Sequence, residues 1–145
     1  LLQLVGTEAV ALARLSADRK TMTENLGPGY PLWATAAGRA LLSSVPAVMR
    51  PTLLPAEPFP AFTAHTKRRW DEISAALHEA APDGIHAEEG EIDERLSCFA
   101  TPLPSANRTE RLAMAISFES RRPPGDRALM RQALQRERRE VAKQI

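Results

Sequence analysis

One cysteine, three histidines and a cluster of carboxylates are the residues of this 145-residue chain whose types could do chemistry. Cys98 stands alone, so no internal disulfide and no paired-cysteine metal or redox spacing can form. His78 has Pro82 four positions on, which rules out a helical histidine pair for a metal. A cluster of His65, His86 and Cys98 would suit a metal or a nucleophile. Isolated histidines and cysteines are more commonly structural, however, and Cys often serves as a small buried hydrophobe. The seven glycines are scattered, so no phosphate-cradling loop is present, and no Gly-x-Ser-x-Gly elbow occurs. An enzyme built on Cys98 with His86 or His65 would lack a group to orient its base. The residues therefore read as non-catalytic, with no metal and no cofactor expected.

Composition narrows the remaining classes. The charges nearly cancel, 19 basic against 18 acidic for a formal net charge of +1. That balance gives no electrostatic reason to expect a nucleic-acid surface. No apolar run approaches the ~20 residues of a membrane span, so no membrane partner is expected. The first residues, Leu1 to Gly6, show neither a basic leader nor a cleavage site. They begin mid-pattern, which reads as a fragment. The cysteine usage fits a reducing, cytoplasmic setting. A chain of this length buries roughly 70% of its unfolded surface, enough for one domain without staples.

The elements that must position any site follow from periodicity. Glu8–Leu15 and Lys20–Leu26 flank a turn at 16–19 and read as a hairpin. Gly27 to Pro31 reads as a loop. Ala34 to Leu42 is small and helix-friendly, with Thr35 suited to the N-cap. Gly38 inside that helix costs about 1 kcal/mol against Ala and points to a close backbone approach. A short helix is expected around 47–54. Thr66 is expected to cap an amphipathic helix from Lys67 to about Ala81, on which Trp70, Ile73, Leu77 and Ala80 share a face. Lys67, Arg68 and Arg69 would then sit poorly with the helix dipole. Pro82-Asp83-Gly84 stops the helix. Strands follow at Gly84–Glu88, Leu96–Leu103 and Arg111–Glu119, with an acidic connection over 88–94 and a hairpin loop over 105–110. In the last strand Leu112, Met114, Ile116 and Phe118 take one face. Gly125 to Ile145 reads as a polar helix carrying Met130, Leu134 and Val141 in register, with an Arg136–Glu140 pair on its surface. Hairpin-linked strands with interspersed helices make an α+β domain.

The stretch Tyr30-Pro31-Leu32-Trp33-Ala34-Thr35-Ala36-Ala37-Gly38-Arg39-Ala40-Leu41-Leu42 resembles the signature of the effector-binding domain of IclR-type bacterial transcriptional regulators. So do Leu96-Ser97-Cys98-Phe99-Ala100-Thr101-Pro102, preceded by Gly84 and an acidic turn holding Glu91, and the closing strand Ala113 to Phe118. The resemblance covers nearly the whole chain in order and spacing. It implies a GAF-like fold, a curved antiparallel sheet with helices on both sides. It also implies an effector-binding domain spanning 1–145 that lacks an N-terminal winged helix-turn-helix. DNA would then be bound only through that absent part, by a homodimer or tetramer.

The resemblance further implies an effector site. Its positions here are Ala36 and Ala37 at the helix start, Glu88 before the cysteine strand, Leu96 as an apolar wall, Cys98, Ser117 and Glu119. Unpaired N–H groups at a helix start favour an anion. Departures from the family pattern are Glu119 in place of serine, Ser120-Arg121 in place of Gly-Pro, Arg95 in place of glycine, and Glu88 in place of a shorter aspartate. Two carboxylates near one small pocket disfavour a simple anionic acid such as glyoxylate. They favour a ligand with a donor or cationic group, or a neutral aromatic, unless Glu119 turns to solvent or pairs with Arg95 or Arg121. A domain that has lost its ligand and serves only for dimerisation is the alternative.

Overall fold

The structure is a computed structural model that describes residues 1–16, 21–22 and 27–145, with Thr21 and Met22 described as backbone. Strands β1 (Leu2–Val5) and β2 (Glu8–Ala11) form a hairpin over a two-residue connection, Gly6-Thr7. Gly6 takes a positive φ of 60°, as such tight turns require. The expected hairpin about residues 16–19 is present in reduced form. Strand β3 (Arg14–Leu15) pairs antiparallel with β4 (Thr21–Met22) as a separate two-stranded sheet. The stretch from Glu8 to Leu15 is thus two strands rather than one, and its first half belongs to the main sheet. Most of the second expected strand, Lys20 and residues 23–26, lies outside the described residues. Part of the expected loop at 27–31 is an edge strand, β5 (Tyr30–Pro31), beside β2. An edge tolerates Pro31, which has no N–H to donate.

The small-residue helix is α1 (Ala36–Ser43), and Thr35 caps it by accepting a 3.0 Å hydrogen bond from the Gly38 N–H. A 3-10 helix follows at Ala47–Leu53. Helix α2 (Trp70–Ala80) starts three residues later than expected. Glu72, not Thr66, closes its first turn by accepting from the Arg68 and Arg69 N–H groups. The three cations therefore precede the helix, and Asp71 and Glu72 occupy its positive end, which resolves the dipole conflict. Ile73, Leu77 and Ala80 are buried on the expected face. Gly84, at φ 72°, ends the helix by donating 2.8 Å to the Ala80 carbonyl.

Strands β6 (His86–Glu89), β7 (Leu96–Leu103) and β8 (Leu112–Glu119) complete a six-stranded antiparallel sheet in the order β5-β2-β1-β8-β7-β6. Alternation along β7 and β8 sends successive side chains to opposite faces. Ala100 and Ala113 meet α1 and α2 in one core with Leu41, Leu42, Phe59 and Ile73. Phe99 and Phe118, with Met114 and Ile116 packed alongside, meet Leu134 and Met130 of α3 (Pro124–Lys143) in the other. Helices thus cover both faces, as expected. On the surface of α3, Arg136 pairs with Glu137 rather than Glu140, and Glu140 with Lys143. Among the described residues no helix is long and apolar enough to cross a membrane.

Gly38 shows why α1 is built from small residues. A Cβ there would collide with the Leu32 Cα and stand 2.5 Å from the Leu32 carbonyl oxygen, both backbone atoms that cannot move aside. Gly38→Ala should destabilise the domain by about 3 kcal/mol, the upper range for overpacking, because better helix propensity cannot offset backbone overlap. Urea unfolding should show a lower midpoint at unchanged slope; an equal or higher midpoint would refute the close approach.

Candidate functional site

Pairing across three strands puts the expected residues in rows on the α1 face of the sheet. Glu88 of β6 stands opposite Cys98 of β7, and Cys98 stands opposite Ser117 of β8. Leu96 and Glu119 form the next row toward the sheet's end. Ala36 and Ala37 start the helix that packs on this face, and Cys98 and Ala115 pack against the same core. The structure thus places all seven residues on α1 or on one face of three adjacent strands.

Their exposure differs sharply. Ala36, Ala37 and Glu88 are buried, at 0%, 4% and 6% exposure, whereas Leu96, Ser117 and Glu119 are exposed. The row therefore runs from a closed end at Glu88 to an open end at Ser117, with exposed Leu96 and Glu119 in the row beyond. Glu119 has no ion pair among the described residues, and Arg95 is held by Asp93 at 2.8 Å. The Ser117 hydroxyl donates to the Cys98 sulfur at 3.7 Å. Burial pushes the Cys98 thiol up to about 11, so it stays protonated at neutral pH and is a poor nucleophile. Burial also raises the Glu88 carboxyl, against the Glu91 N–H that donates to it.

The residues that hold this arrangement, Arg39 of the helix motif and Glu91 of the acidic turn, carry no role in the sequence reading. Arg39, 1% exposed, and Glu91, 3% exposed, form a bidentate buried ion pair. The guanidinium also donates 2.9 Å to the Trp33 carbonyl and 2.9 Å to the Ala87 carbonyl. It thereby joins the segment before α1 to β6 beside Glu88. Glu91 accepts from the Lys67 N–H at 3.2 Å, and the Lys67 ammonium stands 3.6 Å away. Thr66 donates to the Glu91 carbonyl and accepts from the Phe62 and Thr63 N–H groups. The available signal was a cation inside a run of small apolar residues. Its partner, 52 positions away, was marked only as part of the acidic turn, with nothing to tie it to Arg39.

His86 lies on the same strand face as Glu88, two residues before it, and is 3% exposed. Its Nδ1 has no partner among the described residues. Burial, aided by the Arg39 charge, pushes its pKa down to about 4. Trp33 donates through Nε1 to the Pro60 carbonyl at 3.1 Å and stacks on Phe62, which closes the α1 entry segment against the 59–62 loop. Among the described residues no group of three or more His, Cys, Asp or Glu side chains could hold a metal.

An α+β sheet with helices on both faces, one of them a small-residue helix over a polar row, defines a domain of the GAF-like class. The whole chain, residues 1–145, matches the family described as bacterial transcriptional regulator IclR C-terminal, and it belongs to that family of regulators rather than enzymes. Three solved structures illustrate the fold. The C-terminal domain of the E. coli regulator KdgR is 19% identical with a TM-score of 0.78, over 99% of this chain and 84% of that one. A putative IclR regulator from Silicibacter sp. TM1040 is 23% identical with a TM-score of 0.80, over 99% of this chain. This chain spans 58% of the length of that regulator. The inducer-binding domain of Acinetobacter PobR, a double mutant complexed with 3-hydroxybenzoic acid, is 19% identical with a TM-score of 0.76, over 97% and 84%. No match was found among curated proteins.

Two measurements test the site's framework. Arg39→Met strands a buried carboxylate and should cost about 3–5 kcal/mol in urea unfolding, whereas Arg39→Met with Glu91→Gln should cost clearly less than the sum of the single variants. Additive losses would show that the pair is not coupled. His86 titrates near 6.5 when unfolded but near 4 when folded, so the unfolded chain binds more protons between those values. Its contribution is complete above pH 6.5 and is lost as the pH falls toward 4, about 2 kcal/mol between pH 6.5 and 5. His86→Gln should remove that part of the pH dependence; equal slopes in the two proteins would refute it.

Proposed function

We propose that this chain is the effector-binding domain of a cytoplasmic transcriptional regulator, with its ligand site at the Glu88–Cys98–Ser117 row and the start of α1. The observation that carries the reading is that five family-matched positions share one sheet face and two more start the helix packed on it, in a chain that matches the family from end to end. A winged helix-turn-helix joined ahead of Leu1 would bind DNA, as part of a homodimer or tetramer. The ligand would act by binding one arrangement of that assembly better than another.

The site's charge narrows the ligand. Arg39 is committed to Glu91 and Arg95 to Asp93; exposed Glu119 is met by solvent, so the buried Glu88 carboxyl is the acid that weighs against an anion at the row. The PobR inducer-binding domain, as a double mutant, is complexed with 3-hydroxybenzoic acid, an anion that also offers a phenolic donor. In this chain a carboxylate would have only the α1 start to meet, while a hydroxyl or amine could donate to Glu88. A neutral or cationic aromatic with a donor group therefore fits better than a simple anionic acid. The close burial of Ala36, Ala37 and Glu88 supports a second reading, a domain that keeps only a dimerisation role.

Titration calorimetry should show 4-hydroxybenzyl alcohol or benzylamine binding more tightly than glyoxylate or pyruvate. Glu88→Gln should raise the affinity for 3-hydroxybenzoate about tenfold, one removed like-charge contact. Tight glyoxylate or pyruvate binding would overturn the ligand class. Absence of any thermal shift across a metabolite library would favour the dimerisation module.

A further inference from the structure

Helix α3 carries arginines at 127, 131 and 138, spacings of four and seven that keep them on one helical face. The first two are fully engaged. Arg127 pairs with Glu89 at 2.7 Å and lies 5.1 Å over the Phe118 ring. Arg131 pairs with Asp83 at 2.9 Å and lies 4.9 Å over Phe99. Arg138 continues the stripe without a counter-charge. It is half-buried, and its guanidinium lies across Gly84, with Cζ 3.2 Å from where a Cβ would stand. Its guanidinium makes no hydrogen bond or ion pair among the described residues. The helix dipole does not explain it, because that effect is confined to the last turn and α3 continues to Lys143.

Beside Arg138 runs a groove of about 600 Å³ between α3 and the end of β7. Its walls are apolar: Pro82, Pro102, Leu103 and Pro104, with Ala142 from the helix. Its polar groups are Arg138, Arg139, Gln135 and Asp83. The Asp83 carboxylate is already taken by Arg131 and by the Ile85 N–H at 2.9 Å. The neighbouring acids on α3 are taken too, Glu137 by Arg136 and Glu140 by Lys143. The uncompensated charge at the groove is therefore positive. Pro102 and Pro104 cannot donate backbone hydrogen bonds, so the end of β7 is poorly equipped to pair with an extended peptide. The volume falls within the range of small-molecule sites.

We propose that this groove is a second small-molecule site, on the sheet face opposite the effector row, for an organic anion whose carboxylate meets Arg138 and Arg139 while an apolar body lies on the proline wall. The two sites then differ in charge preference, the row disfavouring simple anions and the groove requiring them.

The test is a titration of the whole chain with benzoate, followed by amide chemical shifts, with benzyl alcohol as the neutral isostere. Benzoate should give saturable shifts at Leu103, Gln135, Arg138 and Ala142, and benzyl alcohol should give none there. Arg138→Gln should weaken the groove binding about tenfold, and Arg139→Gln, at an exposed position, should weaken it less. Ser117→Trp, which obstructs the effector row, should leave the groove shifts unchanged. Groove shifts absent up to about 10 mM benzoate, confined to the Cys98–Ser117 region, matched by benzyl alcohol or unaffected by both arginine variants would overturn the proposal.

Discussion

The buried pair of Arg39 and Glu91 is the constraint on which the rest of the structure depends. Two full charges at 1% and 3% exposure are tolerable only if each is met by opposite charge and hydrogen bonds. The two terminal guanidinium nitrogens take acceptors from three places, Trp33 ahead of α1, Ala87 within β6 and Glu91 beyond it, and Nε has no partner among the described residues. Glu91 in turn collects the Lys67 N–H and gives its own N–H to Glu88. An apolar pair of equal volume could match the stability of such an ion pair. It could not direct four segments to fixed positions, because apolar contacts have no preferred direction. The pair also finishes the β6 edge, where the Ala87 carbonyl would otherwise face outward as a template for pairing.

The small residues of α1 are the steric counterpart of that electrostatic tie. Ala36, Ala37, Gly38 and Ala40 bring the helix backbone close to Leu32 and to the alanines of β7 and β8. A helix of larger residues would stand further off, and the Arg39 side chain could not then reach Ala87 and Trp33 together. The same economy of volume sets α1 on the sheet face that carries the row from Glu88 to Ser117. Position and chemistry at the row are thus consequences of one packing choice.

Much of this could be read from the sequence, for local reasons. The alternation in β8 is long enough to fix the strand and its faces, since each side chain's face follows from the period of two. The α2 face was legible because Ile73, Leu77 and Ala80 repeat at helical spacing. Its start was not, because Thr66 is a good cap by type but is occupied by Phe62, Thr63 and Glu91. Strands β1 and β5 were missed because four- and two-residue strands carry too few alternations to outweigh glycine and proline signals. The site residues were legible only through family resemblance. Nothing local marks Glu88 as sharing a row with Ser117, because that adjacency is made by strand pairing across β7.

Charge bookkeeping by face explains more than the net value of +1 does. On the α1 face the cations are consumed internally, Arg39 by Glu91 and Arg50 by the Ser43 and Val45 carbonyls at the end of α1. On the α3 face each arginine that crosses an aromatic ring also holds a carboxylate on the β6 side, until the stripe passes Asp83 and runs out of acids. A near-neutral chain can therefore carry one face bordered by carboxylates without a free cation and another with cations to spare. Because screening limits exposed charges to a reach of about 8–10 Å, each face presents its own local sign to a ligand. Net charge predicts the absence of a long-range nucleic-acid field, but it says nothing about the sign a small molecule meets at either surface.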